Sequence, residues 1–303
     1  MNNEELLAKY GKDNKIKVLD EYGHVFVVDT MGGDERIEQV ARLSYEGGRK
    51  SSDTRALLRY LLRHKHTSPF EQTVITLDIK LPIFVARQLV RHRTQNLNEL
   101  SGRYSKLPEE FYVPPFDQVC YQSEVNNQGR SGPFPVVEAE QLQNQMIEEG
   151  DDAFATYNQF LEAGMAKETA RMGLPLSTYT HWVTTWDLHN LMHMLGLRLD
   201  PHAQWEIRMY AEAIWQIVKD WCPLTAEAFV DYRLEAKTFS KQEMSFLLAV
   251  VEQWQVDMEA LYEGEGSNIP NTLFQLRVAE LLLTHGITNK REQQEFLNTL
   301  RLS

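Results

Sequence analysis

A cluster of cationic and polar side chains lies between Arg91 and Tyr104 of this 303-residue chain. Three arginines, a histidine, a carboxylate and hydroxyl groups follow one another there, although the whole chain carries a net charge of -12. Arginine suits phosphate binding because its planar guanidinium donates parallel hydrogen bonds to two phosphate oxygens. An acidic protein binds anions when its cations are concentrated in one cleft. The segment therefore predicts a site for a phosphorylated ligand, with a solvated basic patch as the alternative.

The end of this cluster has an alternating pattern. If the segment is extended, Glu99, Ser101 and Arg103 share one face, and the intervening residues lie on the other. A carboxylate, a hydroxyl and a cation in a row could then contact a sugar, a base and a phosphate. The structural alternative is an edge strand without a ligand.

Four motifs together carry a family resemblance. They are Arg91-His92-Arg93 followed by Asn98-Glu99-Leu100-Ser101-Gly102-Arg103-Tyr104, His66-Thr67-Ser68-Pro69-Phe70-Glu71, Phe84-Val85-Ala86-Arg87-Gln88, and Leu197-Arg198-Leu199-Asp200-Pro201-His202-Ala203-Gln204-Trp205-Glu206-Ile207. In these motifs and their order, residues 18–233 resemble the flavin-dependent thymidylate synthases. The first 17 residues and residues 234–303 lie outside the resemblance, as an N-terminal extension and a helical C-terminal extension.

The resemblance implies an enzyme, a FAD-dependent methyltransferase that converts dUMP to dTMP. Methylenetetrahydrofolate would supply the carbon, and NADPH would supply the electrons through tightly bound FAD. The resemblance also implies a cytoplasmic homotetramer with its sites at subunit interfaces. The sequence does not indicate a preference between NADPH and NADH.

The resemblance assigns the site residues one by one. The dUMP site would contain Gln88, Arg91, Glu99, Leu100, Ser101, Gly102, Arg103, Arg171 and Arg198. The FAD site would contain His66, Ser68, Glu71, Arg91, His92, Arg93, Asn98, Glu99, Asp187, His189, His193, Leu197 and His202. Arg198 would be catalytic, because a cation against the pyrimidine stabilises the negative charge that makes C5 nucleophilic. Asp187 falls where the family commonly has Asn, and a carboxylate cannot donate a hydrogen bond as Asn does.

Several of these residues also have structural interpretations. Ser68 and Glu71 fit a capping box with Pro69 at the first helical position. Arg198 fits a cation at the C-terminus of a helix, where the dipole favours it.

His189 and His193 are four residues apart, so on a helix they would share one face with metal-ligand spacing. With His202 and nearby aspartates, they suggest a metal-dependent nucleotide phosphohydrolase as an alternative function. A further alternative is a non-catalytic nucleotide-binding oligomer. The polar face of a core helix would explain both histidines without a metal, and the family resemblance implies none.

Composition limits the class of protein. Hydrophobic residues make up 43% and charged residues 24%, which is typical of a soluble globular protein. The acidic balance argues against general nucleic-acid binding, and no apolar run approaches the roughly 18 residues of a membrane span. Cys120 and Cys222 are the only cysteines, which suggests neither a disulfide framework nor a zinc pattern. Cys222, at the end of an apolar helix, is expected to be a buried thiol.

Hydrophobic periodicity predicts an α+β (mixed α/β) fold, with a small mixed sheet and flanking helices. Strands are predicted over 24–29, 72–80 and 177–186, and helices over 34–43, 53–64, 82–92, 138–161, 187–199 and 202–221. Asp53 and Asp187 are the expected helix caps. Residues 117–135 are predicted to form a mobile surface loop, and the tail from Lys241 is predicted to be helical with a break over 264–270.

Overall fold

A computed structural model of the protein describes residues 1–43, 53–125, 127–262, 278 and 280–299. The chain divides into two compact units, Met1–Glu235 and Ala236–Ser303. All the predicted site residues lie in the first unit. The proposed division into 1–17, 18–233 and 234–303 stays a prediction, although the N-terminal helix contributes Leu6 to the hydrophobic core of the first unit.

An antiparallel sheet forms the centre of the first unit. The described strands are β1 (Ile16–Lys17), β2 (His24–Met31), β3 (Val74–Pro82), β4 (Asn96–Glu99), β5 (Cys120–Gln122), β6 (Arg130–Pro133) and β7 (Tyr179–Asp187). Five of them pair in the order β1-β2-β3-β7-β4. Every described pairing is antiparallel, so the sheet is not mixed in strand direction. The α+β fold class is confirmed.

Strand β3 shows why this sheet forms. Its aliphatic residues Ile75, Leu77, Ile79 and Leu81 occupy every second position and are fully buried on one face of the sheet. Strand β7 pairs with β3 along its whole length and adds Trp182 and Trp186 to the same core. The centre of the sheet is therefore a rigid support for the loops and helices at its ends.

The predicted helices are confirmed to within a few residues. The named helices are α1 (Asn3–Tyr10), α2 (Asp34–Arg42), α3 (Thr54–Arg63), α4 (Ser68–Glu71), α5 (Ile83–Leu89), α6 (Val136–Glu162), α7 (Lys167–Ala170), α8 (Leu188–Arg198), α9 (Trp205–Trp221), α10 (Pro223–Phe229), α11 (Lys241–Tyr262) and α12 (Lys290–Thr299). Asp53 accepts a hydrogen bond from the Ala56 amide at 3.3 Å, and Asp187 accepts one from the Asn190 amide at 2.9 Å. Both predicted caps are confirmed. No described helix is long and apolar enough to cross a membrane.

The predicted capping box at Ser68 and Glu71 is wrong. Helix α4 begins at Ser68 itself, and the residue before it, Thr67, makes no side-chain capping bond. The helix is a single turn, because the amide of Thr73 bonds to the carbonyl of Phe70 and the chain then enters β3. Burial of Pro69 and Phe70 fixes this turn instead of a cap.

The predicted extended segment at residues 99–104 is also wrong. Strand β4 ends at Glu99, and the next amide, of Leu100, donates to the carbonyl of His181 at 2.8 Å. The amides of Tyr104 and Ser105 then both donate to the carbonyl of Ser101, at 3.1 and 3.2 Å. The chain therefore makes a turn, and the alternating residues Glu99, Ser101 and Arg103 do not lie on one face of an extended strand.

The loop predicted over 117–135 contains a hairpin, β5 with β6. The rings of Tyr121 and Phe134 stack with centroids 3.8 Å apart, which holds the two sides of the hairpin together. The buried thiol at Cys222 is confirmed at 0% exposure. The tail is helical in α11, and its predicted break over 264–270 lies outside the described residues.

Gly150 is expected to be essential to the packing of α6. A Cβ built there would lie 2.8 Å from Cδ2 of Phe111 and closer still to two other ring atoms. Gly150→Ala should destabilise the protein by about 1–3 kcal/mol through overpacking, outweighing a helix-propensity gain of about 0.5–1 kcal/mol. Chemical denaturation checks this, with Gly132→Ala as control because nothing lies within 4 Å of that position. A Gly150→Ala variant as stable as the parent protein contradicts the packing argument.

Candidate active site

Arg198 and His92 form the centre of the candidate site. His92 follows α5 and is only 8% exposed. Arg198, the last residue of α8, donates through Nε to Nε2 of His92 at 3.1 Å. Its Nη2 donates to the carbonyl of Gln88 at 3.4 Å. The ends of α5 and α8 are therefore joined through one guanidinium.

The protonation state of His92 explains how this histidine can lie against Arg198. Burial, together with the electrostatic effect of neighbouring Arg198 and His193, lowers the pKa of His92 to about 4. At neutral pH the ring is uncharged, so Nε2 is free to accept the Arg198 hydrogen bond. Burial also lowers the pKa of Arg198, but a guanidinium starts so high that it stays charged. The site thus contains an oriented, partly buried cation.

A cavity of about 310 Å³ lies beside this pair, between the α3–α4 connection and α8. It is lined by Leu61, Leu62, Lys65, His66, Thr67, Phe70, His189, Met192, His193, Gly196, Leu197, Phe229 and Arg233. The ring of His193 lies 6.2 Å from that of His92, which connects the cavity to the centre. Apolar walls with a few histidine nitrogens suit a flat aromatic ring system with polar edges. The volume is at the small end of ligand pockets, about 300–1,000 Å³, so it fits one end of a dinucleotide such as FAD.

The turn after β4 brings a second set of predicted residues together. A Cβ at Gly102 would lie 3.0 Å from Cδ of Arg171, so glycine lets this arginine pack directly over the turn. The hydroxyl of Ser101 accepts from the amide of Arg103 at 3.3 Å. Arg103 pairs with Glu168 at 2.9 Å. The turn therefore presents a hydroxyl and two guanidiniums close to one another.

The predicted residues do not all meet within one chain. Among the described residues, no hydrogen bond or ion pair joins the Ser101 turn to the cavity beside His92. Several predicted residues are exposed, namely His66, Ser68, Glu71, Arg91, Arg93, Asn98, Glu99, Leu100, Arg103, His193, Leu197 and His202. His202 instead pairs with Asp200 at 2.8 Å. Glu99 accepts from the hydroxyl of Thr180 at 2.6 Å.

Asp187 has a clear local role. Its two carboxylate oxygens accept from the amide and the side-chain nitrogen of Asn190, at 2.9 and 2.7 Å. The carboxylate thereby fixes the start of α8, which carries His189 and His193. Capping α8 requires only hydrogen-bond acceptors, so a carboxylate is sufficient at this position. This accounts for Asp187 where the resemblance leads us to expect Asn.

The alternative metal site is not assembled. In the part of the chain that the structure describes, the group of three potential ligands that meets is His24, Asp78 and His181, in the sheet. Among the described residues, His189 and His193 on α8 have no third ligand atom close enough to complete a site. The geometry gives no support to a phosphohydrolase centre there.

Sequence reasoning missed a polar network behind Gln88. The side-chain nitrogen Nε2 of Gln88 donates to Oε1 of Gln204 at 2.6 Å, and Nε2 of Gln204 donates to a carboxylate oxygen of Glu206 at 2.8 Å. Glu206 is 2% exposed and forms an ion pair with Arg130 from β6. The network orients Gln88 with its own Oε1 available to a ligand N–H. Gln204 and Glu206 lie in a motif that carries the resemblance, whereas nothing in the hairpin sequence singles out Arg130.

Comparison with known proteins decides the family. Residues 26–224 match the family model described as thymidylate synthase complementing protein. The chain belongs to this family. It is 51% identical over 236 residues to a flavin-dependent thymidylate synthase of Ehrlichia ruminantium (strain Gardel), covering 78% of this chain and 79% of the relative. It is 46% identical over 244 residues to the one from Wolbachia pipientis wMel, covering 80% and 86%.

Solved structures with a similar fold agree with this. A UMP/dUMP methylase, PolB from Streptomyces cacaoi, bound with 5-Br UMP, superimposes with a TM-score of 0.65 at 34% identity. The match covers 72% of this chain and 98% of the neighbour. The same protein bound with 5-Br dUMP gives a TM-score of 0.65 at 32% identity.

The ion pair behind Gln88 should be important for stability. Arg130→Met leaves the buried Glu206 carboxylate without its cation, which should cost about 3 kcal/mol. The double variant Arg130→Met with Glu206→Gln removes both charges and should recover part of the loss. Denaturant unfolding of the single and double variants measures this. Equal stability of Arg130→Met and the parent protein would show that Glu206 is not held by this pair.

Proposed function

We propose that this protein is a flavin-dependent thymidylate synthase, which methylates dUMP to dTMP with carbon from methylenetetrahydrofolate and electrons from NADPH. The observation that carries the proposal is the charged Arg198 held by neutral His92 beside a cavity suited to an aromatic cofactor. Bound FAD would supply the hydride-transfer chemistry. The protein's contribution is to bind, orient and stabilise charge.

Arg198 is the proposed catalytic residue. Methylation requires C5 of the pyrimidine to act as a nucleophile, and negative charge on the ring increases its nucleophilicity. A guanidinium fixed through Nε before the substrate arrives stabilises that charge without further reorganisation. The donors that His92 and the Gln88 carbonyl do not use are left for the pyrimidine.

The Ser101 turn is the proposed site for the phosphate and sugar of dUMP. Ser101, Arg103 and Arg171 lie together there and supply a hydroxyl and two cations. Gln88 and Arg91, on and just after α5, would complete the substrate contacts, together with Glu99, Leu100 and Gly102. Of the proposed FAD residues, His66, His189, His193 and Leu197 line the cavity.

We further propose a homotetramer in which neighbouring subunits complete each site. Arg91 and Arg93 are exposed, and neither has a carboxylate within ion-pair distance among the described residues. Two large apolar side chains near these residues in sequence are exposed. Tyr104 follows the Ser101 turn and Met172 follows Arg171, and each is 76% exposed. Such surfaces favour association. The expected location is the cytoplasm, where nucleotide pools are kept.

A product assay tests the proposed function. Purified protein with bound FAD should form dTMP from NADPH, methylenetetrahydrofolate and dUMP, and omission of any one of these three, or removal of the FAD, should stop it. Chromatography of the reaction separates the alternatives. Deoxyuridine with free phosphate as the product would indicate a phosphohydrolase, and dUMP binding without any product would indicate a non-catalytic binding protein.

Replacement of Arg198 tests its role. Arg198→Ala should slow methylation by about 10²-fold or more because the developing charge loses its counterion. Arg198→Lys should restore little, since a point charge does not reproduce the planar guanidinium. Tritium release from C5-labelled dUMP measures the step, and thermal melting checks the fold. Arg208→Ala is the control, because the Arg208 guanidinium bonds to the Pro201 carbonyl and Glu212 and Arg208 is not among the proposed site residues. A near-normal rate in Arg198→Ala contradicts the assignment.

A further inference from the structure

Three potential metal ligands lie side by side on the central strands. Nε2 of His24 lies 3.2 Å from Oδ1 of Asp78, and Nε2 of His181 lies 2.6 Å from the same oxygen. One ligand atom from each residue lies within 4.8 Å of the others. We propose that His24, Asp78 and His181 form a binding site for a divalent transition-metal ion of the zinc type.

The register of the sheet places these residues together. Lys80 of β3 pairs with His24 of β2 on one side and with His181 of β7 on the other. Asp78 precedes Lys80 by two residues, so its side chain lies on the same face. This face is opposite to the one that buries Ile79. Three hydrogen-bonded strands therefore hold the ligands on a rigid support.

His24 already has a partner for its other ring nitrogen. Its Nδ1 lies 3.3 Å from the carbonyl oxygen of Tyr22, which can only accept, so Nδ1 donates to that oxygen. Nε2 is then the ring atom that faces Oδ1 of Asp78 and is placed to bind a metal ion. A carbonyl that fixes the other ring nitrogen is also the usual support of a metal-bound histidine.

The distances suit zinc. With bonds of about 2.0–2.1 Å, neighbouring ligand atoms of a tetrahedral site lie about 3.3 Å apart. His24 and Asp78 already have this spacing at 3.2 Å. The 2.6 Å between His181 and Asp78 must lengthen by less than about 1 Å, and the His181 side chain, 41% exposed, has room to move. Water from the solvent would take the remaining position.

The charge around the site is compatible with a cation. Lys80, which pairs with both His24 and His181 in the sheet, is a positive side chain on this face, and its ammonium forms an ion pair with Glu110. The loop that provides the Tyr22 carbonyl is held by Asp20, which accepts from the amides of Tyr22 and Gly23 at 2.9 and 3.1 Å. The second layer of the site is thus already in place.

Zinc titration of the full-length flavoprotein tests the proposal. After treatment with EDTA and dialysis, calorimetry with zinc chloride should show one equivalent bound, and that equivalent should remain after gel filtration. His181→Gln should weaken binding by at least about ten-fold, because a ligand is lost. His181→Cys should retain the metal, because thiolate is also a zinc ligand.

His285→Gln is the matched control, since His285 is an exposed histidine outside the cluster. It should bind zinc as the parent protein does. Absence of binding to the parent protein overturns the proposal. Equal affinity of the parent protein and His181→Gln, with both folded by thermal melting, overturns it as well.

Discussion

The hydrogen bond from Arg198 to a neutral His92 is the interaction on which the candidate site depends. A buried histidine beside an arginine is tolerated because it has no charge, and its pKa of about 4 keeps it so at neutral pH. The same neutrality makes Nε2 an acceptor, which fixes the guanidinium in one orientation. Protonation of His92 would turn this contact into a repulsion between two cations. The position of the catalytic cation is therefore linked to the protonation state of its neighbour.

The fold creates this contact from opposite ends of the sheet. Helix α5 follows β3 at Pro82, and α8 follows β7 at Asp187. Because β3 and β7 are antiparallel, the two helices start at opposite ends and run back until their C-termini meet. The negative ends of two helix dipoles then lie near Arg198, which stabilises its charge. Capping of α8 by Asp187 and the fit of Trp186 in the core hold the second helix in position.

Local sequence signals predicted much of this arrangement but not all of it. The three predicted strands, the six predicted helices before residue 222 and the caps at Asp53 and Asp187 follow from periodicity and residue type, and the structure confirms them. Local sequence patterns gave wrong predictions where contacts with distant parts of the chain determine the backbone conformation. Alternation after Glu99 suggested an extended chain, but the Ser101 carbonyl accepts two amides and makes a turn. Contacts between distant residues, such as Arg130 with Glu206 or His24 with Asp78 and His181, depend on strand register and hairpin placement, which no local pattern contains.

The central claim concerns one proton, and neutron diffraction from deuterium-exchanged crystals at neutral pH tests it most directly. The account predicts a deuteron on Nδ1 of His92 and none on Nε2, with the Nε deuteron of Arg198 directed at that bare nitrogen. Deuterons on both ring nitrogens, with the guanidinium turned away, would contradict it. In that case Arg198 would not be oriented by a neutral histidine, and the physical basis proposed for its catalytic role would be lost.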